Sequence, residues 1–223
     1  MVRDTPVTRH LKKVAAGSVT NAAGSANRQQ TRAQDLMRAK LATDQMRLKD
    51  TRSIARKIEI KREVLPDYAD YVQAVLGADA GGQDDVLVTV MVWMIDAGEW
   101  RAALDIARYA IRHGLQMPAT FERTLPATVA EGFADAAGVD AGMLAVVIEL
   151  TGSFDMVDQI KAKLHKAYGL AIEASAPAKA LASLKAALAL DNRIGVKRDI
   201  ARIEAVIAGQ APPSDSAASE SDA

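Results

Sequence analysis

The pattern of apolar and polar residues along the chain changes at Pro66. Between Ser25 and Pro66 there is neither glycine nor proline, and most residues in this stretch are good helix formers. The pattern predicts one long helix over residues 28–65. Pro66 ends this helix, because its ring clashes with the preceding helical turn and it has no amide hydrogen to donate.

Apolar residues within the long helix follow a heptad-like spacing. They recur at seven- and three-residue intervals, at Leu41, Leu48, Ala55 and Ile58. Asp44 and Thr51 occupy the intervening seam positions and weaken the pattern. A coiled coil is therefore one interpretation of this helix, and a single charged helix is the other.

Short helical patterns separated by turn residues follow Pro66 and predict a compact helical body over residues 66–207. The segment 86–95 is rich in β-branched residues and is interpreted as a buried helix, with a buried strand as the alternative. The helix is favoured because Asp84 or Asp85 can cap its start and Gly98 can close its end. Further helices are expected at 99–113, at 126–137, at 141–150 after a cap by Asp140, beyond a cap by Asp155, from Pro177 to Asp191–Asn192, and over Val196–Ile207 closed by Gly209.

Two of these segments share an alternation of small and large residues. They are AALDIARYAIRHGL at 102–115 and KALASLKAALALDN at 179–192, and their pattern is typical of tetratricopeptide-like hairpins. The predicted fold is therefore all-α, with a long basic N-terminal helix followed by a bundle of helical hairpins that is tetratricopeptide-like in the C-terminal half. An ordinary helical bundle is the alternative for that half.

Both ends of the chain lack the large apolar side chains that a folded core requires. Residues 1–27 are expected to form a flexible basic arm, and residues 208–223 are expected to form a disordered acidic tail. No stretch reaches the roughly 18 apolar residues of a membrane span, and no secretory leader is recognisable. Because the chain also contains no cysteine, a cytoplasmic location without membrane attachment is expected.

The formal net charge is zero, but the charges are segregated along the chain. Residues 1–63 carry 15 Lys or Arg against 6 Asp or Glu, a net charge of +9. Residues 64–150 carry 4 against 13, a net charge of −9. The basic end indicates an anionic partner, and the acidic middle indicates solvation or docking.

The long helix carries the strongest functional pattern in the sequence, because eleven cations face five acids between residues 28 and 63. The cations are Arg28, Arg32, Arg38, Lys40, Arg47, Lys49, Arg52, Arg56, Lys57, Lys61 and Arg62. Cations three or four residues apart share a helix face, so the helix is suited to follow the phosphates of double-stranded DNA. The alternative is a solvated helix that only keeps the protein soluble. No glycine or asparagine turn interrupts it, so a helix-turn-helix is not predicted.

The sequence contains none of the common catalytic motifs. A GxxxxGK[ST] phosphate loop, a GxSxG nucleophile elbow and an HExxH zinc motif are all absent. Asp84 and Asp85 are the nearest candidates for a metal-dependent nuclease site, but adjacent helical residues point about 100° apart, so helix capping explains them better. No metal or cofactor is expected on this chain, whose three histidines are far apart in the sequence.

Five stretches of the sequence resemble a viral family. They are TDQMRLK at 43–49, KREVLPDYADYV at 61–72, GGQDDVLVTVMVWMIDAGEWRAALDIARYAIRHGLQMP at 81–118, IKAKLHKAYGL at 160–170 and ALALDNRIGVKRDIARIE at 187–204. Over residues 30–207 the chain resembles the terminase small subunit of temperate, contractile-tailed phages that package DNA from cos sites. This family is also called the terminase endonuclease subunit or DNA-packaging protein M.

The resemblance implies a protein of the bacterial host cytoplasm that binds the cos site on concatemeric phage DNA and directs cleavage and packaging into the procapsid. It implies three partners: double-stranded viral DNA, the terminase large subunit, and further copies of this chain in a ring-like homo-oligomer. The arm and helix at 1–63 would face DNA, and the body would serve oligomerisation and large-subunit docking. Mg²⁺ and ATP are expected on the large subunit, which is recruited and regulated by this chain and is expected to make the cut.

A different class of function is the alternative. Helical hairpins present surfaces to other protein chains, so the protein could be a non-enzymatic interaction adaptor with no direct DNA binding. The basic helix would then be only a solvated surface. Salt dependence distinguishes the two hypotheses, because each phosphate that a protein neutralises steepens the fall of DNA affinity with salt.

Overall fold

The computed structural model describes residues 32–210, and these residues form helices, turns and loops without a β-strand. The all-α prediction is therefore confirmed for this part of the chain. None of the helices described here combines the length and apolar character needed to cross a membrane. The chain divides into two compact units, Met1–Val75 and Leu76–Ala223, which are described separately below.

In the described part of the first unit, the first helix is α1, over residues 32–50. The unit continues with α2 (Ile54–Val64), a 3₁₀ helix (Leu65–Tyr68) and α3 (Ala69–Ala78), within which the boundary between the two units falls. Pro66 lies in the first turn of the 3₁₀ helix, where its missing amide hydrogen costs no helical hydrogen bond.

The single long helix predicted over 28–65 is wrong, because residues 51–53 are not helical. The Thr51 hydroxyl donates to the Arg47 carbonyl at 3.0 Å, and the Ser53 hydroxyl accepts from the Arg56 amide at 3.3 Å, where it caps α2. Short polar side chains of this kind satisfy backbone groups in place of the next helical turn. A helix can therefore end here without glycine or proline.

Helices α1 and α2 form an antiparallel hairpin. Arg47, near the end of α1, contacts Glu63 on α2, whereas Asp44 and Lys40, further from the break at 51–53, contact Tyr68 and Asp67 of the 3₁₀ helix. The apolar side chains buried in this unit are Leu41, Leu48, Ile60, Val64, Leu65, Tyr68 and Val72. Leu41 and Leu48, the first two residues of the heptad-like spacing, are thus buried within the chain itself, while Ala55 is exposed.

The second unit consists of seven helices in its described part, in addition to the end of α3. They are α4 (Asp85–Ala97), α5 (Trp100–Arg112), α6 (Leu125–Asp135), α7 (Ala141–Thr151), α8 (Asp158–Ala171), α9 (Pro177–Leu190) and α10 (Lys197–Gln210). Helix α6 contacts α4, α5, α7 and α8, and therefore lies at the centre of this unit.

The β-branched segment 86–95 is a buried helix, as favoured, and not a strand. It lies in α4, where Asp84 caps the start by accepting from the Leu87 amide at 3.0 Å. Gly98 closes the end in the left-handed region at φ 89°. Val86 to Met91 are almost completely buried, and a helix that is apolar on all sides belongs in the core of a domain. Burial therefore outweighs the β propensity of these residues.

Helix starts were only partly predictable. Asp140 caps α7 by accepting from the Met143 amide at 3.0 Å, and Pro177 is the first residue of α9, both as expected. The expected cap by Asp155 is wrong, because α8 begins at Asp158 with Val157 as its N-cap. Helix α10 runs to Gln210, three residues beyond the predicted end of the body at 207.

The C-terminal half is built on close contact between α8 and α9, followed by α10. The core of this half contains Ile172, Ala180, Leu184, Val196, Ile200 and Ile203. Gly169 on α8 is buried, and a Cβ atom placed there would lie 2.8 Å from the Leu184 side chain and 3.2 Å from the Ala180 carbonyl oxygen. The two helices approach closely because glycine has no side chain. The tetratricopeptide-like character of this half stays a prediction.

Candidate nucleic-acid interface

The first unit contains a buried polar cluster at the base of its hairpin. Asp44 is 8% exposed, and its Oδ2 accepts from the Tyr68 hydroxyl at 2.7 Å and from Lys40 Nζ at 3.1 Å. Lys40 also pairs with Asp67 at 2.8 Å, and this contact raises the Lys40 pKa. Burial, reinforced by the Asp44 hydrogen bond, raises the pKa of the Tyr68 phenol. Lys40 is therefore held by two carboxylates, the buried Asp44 and the exposed Asp67.

Arg47 is the second cation that the fold itself uses. Its two terminal nitrogens donate to the two Glu63 oxygens at 3.0 and 2.7 Å, a bidentate pair that connects α1 to α2. This hydrogen bonding lowers the pKa of the Glu63 carboxyl. Arg47 thus fixes the hairpin, although its exposed side chain still adds positive charge to the surface.

Two more cations pair within their own helices. Arg38 lies 4.0 Å from Asp35 on α1, and Arg56 lies 2.7 Å from Glu59 on α2, both at a spacing of three residues. Exposed pairs of this type stabilise a helix by only about 0.2–0.5 kcal/mol. Their guanidinium groups can therefore exchange the carboxylate for a phosphate at little cost.

Four cations of the first unit have no ion-pair partner among the described residues: Arg32, Lys49, Arg52 and Lys57. Three of them lie around the break between α1 and α2. We call residues 49–57 the hairpin tip. It carries Lys49, Arg52, Arg56 and Lys57 against one acid, Asp50.

The hairpin tip also presents an apolar side chain. Ile54 is 77% exposed and lies at the first position of α2, between Arg52 and Arg56. A convex turn with several cations and one apolar residue is suited to contact the sugar-phosphate backbone of a duplex.

The structure thus divides the eleven predicted DNA-binding cations into groups with different roles. Lys40 and Arg47 hold the hairpin together, whereas Lys49, Arg52, Arg56 and Lys57 gather at its tip. Lys61 and Arg62 lie in the last turn of α2, where cations interact favourably with the helix dipole. Arg28 lies outside the described residues.

The candidates for metal chemistry have structural roles. Asp84 is 4% exposed and caps α4, and the Asp85 carboxylate accepts from the Gln83 side-chain amide at 2.8 Å. The Gln83 side-chain amide also donates to the Gln116 carbonyl and accepts from the Gln116 backbone amide. These contacts fix the loop before α4. Across residues 32–210, no three His, Cys, Asp or Glu side chains are arranged to hold a metal ion.

The Asp44 cluster was missed by sequence reasoning. An aspartate at a seam position weakens the heptad pattern, but its burial is explained by Tyr68, which is 24 residues further along the chain. The sequence does contain a feature that indicates such a cluster, because Asp44 lies between the apolar seam residues. A polar group that is buried there needs a hydrogen-bond partner elsewhere in the fold.

Known proteins are similar to this chain over most of its length. A family model described as phage small terminase subunit matches residues 38–163. The chain is 39% identical over 223 residues to the terminase, endonuclease subunit of Escherichia phage P2, covering 96% of this chain and 90% of that protein. It is 35% identical over 78 residues to the probable terminase, endonuclease subunit of Haemophilus phage HP1, covering 34% of this chain and 28% of that protein. No solved structure is matched by this chain.

Proposed function

The chain belongs to the phage small terminase subunit family and has a role in phage DNA packaging, and from this premise we propose that it binds the cos packaging site through its first unit. The observation that carries this proposal is the group of unpaired cations at the hairpin tip, Lys49, Arg52 and Lys57. A folding role does not account for these three charges, since none of them pairs with an acid of the described chain.

Preorganisation supports the same proposal. The Arg47–Glu63 pair and the Asp44 cluster hold α1 and α2 together, so the tip presents its cations on a fixed scaffold. Side chains on a fixed scaffold lose less conformational entropy when they bind a phosphate. Contacts of this kind set affinity and register on the duplex. Recognition of the cos sequence would come from DNA shape, which several copies of the chain in a ring would select together.

We further propose that the helical body recruits the terminase large subunit and regulates it. The relatives from phages P2 and HP1 are named as endonuclease subunits. In this chain, however, the carboxylates nearest to a nuclease pattern cap a helix and fix a loop. The large subunit would therefore supply ATP hydrolysis, Mg²⁺ and strand cleavage, while this chain directs the site of the cut.

The experiment that tests this function is a fluorescence-anisotropy titration of the full chain against cos-containing and scrambled duplexes at several salt concentrations. If about six phosphates are neutralised, log K is expected to fall with log salt at a slope near −5. The cos duplex is expected to bind more tightly than the scrambled one. Incubated with Mg²⁺, the cos duplex is expected to stay intact until the large subunit is added.

Two results would contradict the proposal. Absence of DNA binding at low salt would favour the alternative function, a helical adaptor that meets DNA only through its partner. Nicking of the cos duplex by this chain alone, lost in an Asp84→Ala/Asp85→Ala variant, would assign cleavage to this subunit instead.

A further inference from the structure

A second group of unpaired cations lies on the second unit. In the part of that unit that the structure describes, five Lys or Arg side chains have no carboxylate or carbonyl partner: Arg101, Lys179, Arg193, Lys197 and Arg198. Three of the five lie at 193–198, in the turn between α9 and α10 and at the start of α10. Unpaired positive charge on this unit is therefore concentrated in one place.

The turn that carries these cations is held in a defined conformation. The Asp191 carboxylate accepts from the Arg193 amide at 2.9 Å, and Gly195 lies in the left-handed region at φ 80°. Lys166 on α8 donates to the Ile194 carbonyl at 2.9 Å and adds a fourth positive charge beside the turn. We call Lys166, Arg193, Lys197 and Arg198 the turn patch.

The acids beside the turn patch already bond to other groups of the fold. Asp191 bonds to the backbone amide of Arg193, and Asp199 pairs with Arg202 at 2.8 Å. Arg202 in turn makes a bidentate contact with Glu173, which lowers the pKa of that carboxyl. Neither Asp191 nor Asp199 therefore forms an ion pair with Arg193, Lys197 or Arg198.

The position of two of these cations is unfavourable for folding. Lys197 and Arg198 are the first two residues of α10, at the positive end of the helix dipole, where acidic residues are stabilising and cations are not. Residues that destabilise a helix locally, and that have no contact to compensate for it, are typical of functional sites. An anion bound at the turn patch would supply the missing compensation.

We propose that the turn patch is a second DNA-contacting surface, which binds the phosphates of double-stranded DNA in addition to the hairpin tip. The inference rests on the proposed function, because it assumes that the chain binds DNA directly. A duplex carries one negative charge for about every 1.7 Å of its axis, so a single segment can satisfy several closely spaced cations. The guanidinium groups of Arg193 and Arg198 also match the geometry of phosphate oxygens.

The test compares two triple variants of the full chain. The first is Arg193→Ala/Lys197→Ala/Arg198→Ala, which removes the exposed cations of the turn patch. The control is Arg101→Ala/Lys179→Ala/Lys185→Ala, which removes the same charge from other exposed positions on this unit. Both are titrated with a labelled cos duplex by fluorescence anisotropy, and circular dichroism establishes that each variant is folded.

The turn-patch variant is expected to show a salt slope shallower by about 2.7, since three phosphate contacts each contribute about 0.9. Between about 50 and 200 mM salt, the wild-type protein would then lose about 40-fold more affinity than this variant loses. The control variant is expected to keep the wild-type slope. A charge-conserving variant, Arg193→Lys/Lys197→Arg/Arg198→Lys, is expected to keep it as well.

The possible failures can be told apart. If the wild-type chain binds DNA and the turn-patch variant behaves like the control, the second surface is contradicted while the proposed function stands. The same conclusion follows if the turn-patch variant loses binding to the large subunit but not to DNA, because the patch would then recognise a protein. If the wild-type chain does not bind DNA at all, both proposals fail.

Discussion

Replacing Gly169 by valine is expected to lower the free energy of unfolding by about 3 kcal/mol. Even the first added carbon would lie 2.8 Å from the Leu184 side chain, well inside the usual contact distance of about 3.5–4.0 Å. Leu184 is completely buried, and the Ala180 carbonyl is part of the α9 backbone. The helices α8 and α9 would have to separate, which thermal unfolding followed by circular dichroism detects.

Gly77 provides the matched control for this substitution. It also lies within a helix, α3, but no heavy atom lies within 4 Å of the position that a Cβ would occupy. Gly77→Val is expected to change the free energy of unfolding by no more than about 0.5 kcal/mol, because glycine and valine are both weak helix formers and the new Cβ meets no neighbouring atom. Equal melting temperatures for Gly169→Val and the wild type would contradict the close packing of α8 on α9.

The second large effect is expected at Asp44. Asp44→Ala removes the carboxylate that accepts from both Tyr68 and Lys40, and it is expected to destabilise the first unit by about 3 kcal/mol. Loss of a buried acceptor costs more than a surface contact, because the Tyr68 hydroxyl lies in a side chain with no exposed area. Denaturant unfolding measures this loss.

A double variant separates the hydrogen bond from the packing. Asp44→Leu/Tyr68→Phe replaces both partners with apolar groups, and it is expected to lie within about 1 kcal/mol of the wild type, since the first substitution would extend the apolar seam of Leu41 and Leu48. Asp44→Ala and Tyr68→Phe are expected to couple strongly in a double-mutant cycle. Additive effects of the two single substitutions would show that the hydrogen bond contributes nothing.

Alkaline pH gives an independent measure of the same cluster. Burial and the Asp44 hydrogen bond raise the pKa of the Tyr68 phenol above its ordinary value of about 10, so the folded state holds this proton more tightly than the unfolded state. The stability from this group is complete below about pH 10 and is lost as the pH rises further. Tyr68→Phe is expected to weaken this alkaline dependence.

Much of the second unit was predictable from sequence, because its helices begin and end at residues with strong local preferences. Asp84, Asp140, Pro177 and Gly98 act through side-chain or backbone chemistry within a few residues, and each has the expected role. The prediction that Asp155 caps a helix was wrong, because an aspartate can lie in a loop as well as at a helix start. The spacing of nearby residues does not distinguish these two cases.

The hairpin of the first unit was not predictable by the same reasoning. Glycine and proline are the strongest sequence signals of a helix break, whereas here Thr51 and Ser53 end and restart the helix through their hydroxyl groups. The partners that hold the hairpin, Glu63 and Tyr68, are 16 and 24 residues distant from Arg47 and Asp44. Contacts at such separations leave no periodic pattern in the sequence.

The candidate interface was predictable as a set of cations but not as a surface. Charge counting gave Lys40 the same weight as Arg52, although Lys40 is held by Asp44 and Asp67 and Arg52 has no ion-pair partner in the described chain. A count of charges also places all eleven cations on one uninterrupted helix. Folding back at residues 51–53 instead gathers four of them at the hairpin tip.

The central claim is that the hairpin tip binds DNA phosphates, and one measurement tests it most directly. The salt slope of cos-duplex binding is compared between the wild-type chain and a Lys49→Ala/Arg52→Ala/Lys57→Ala variant, with Arg101→Ala/Lys179→Ala/Lys185→Ala as the charge-matched control. The tip variant is expected to show a slope shallower by about 2.7 and an affinity at least tenfold weaker at about 50 mM salt, with the control unchanged. A tip variant that binds with the affinity and slope of the wild type would contradict the claim.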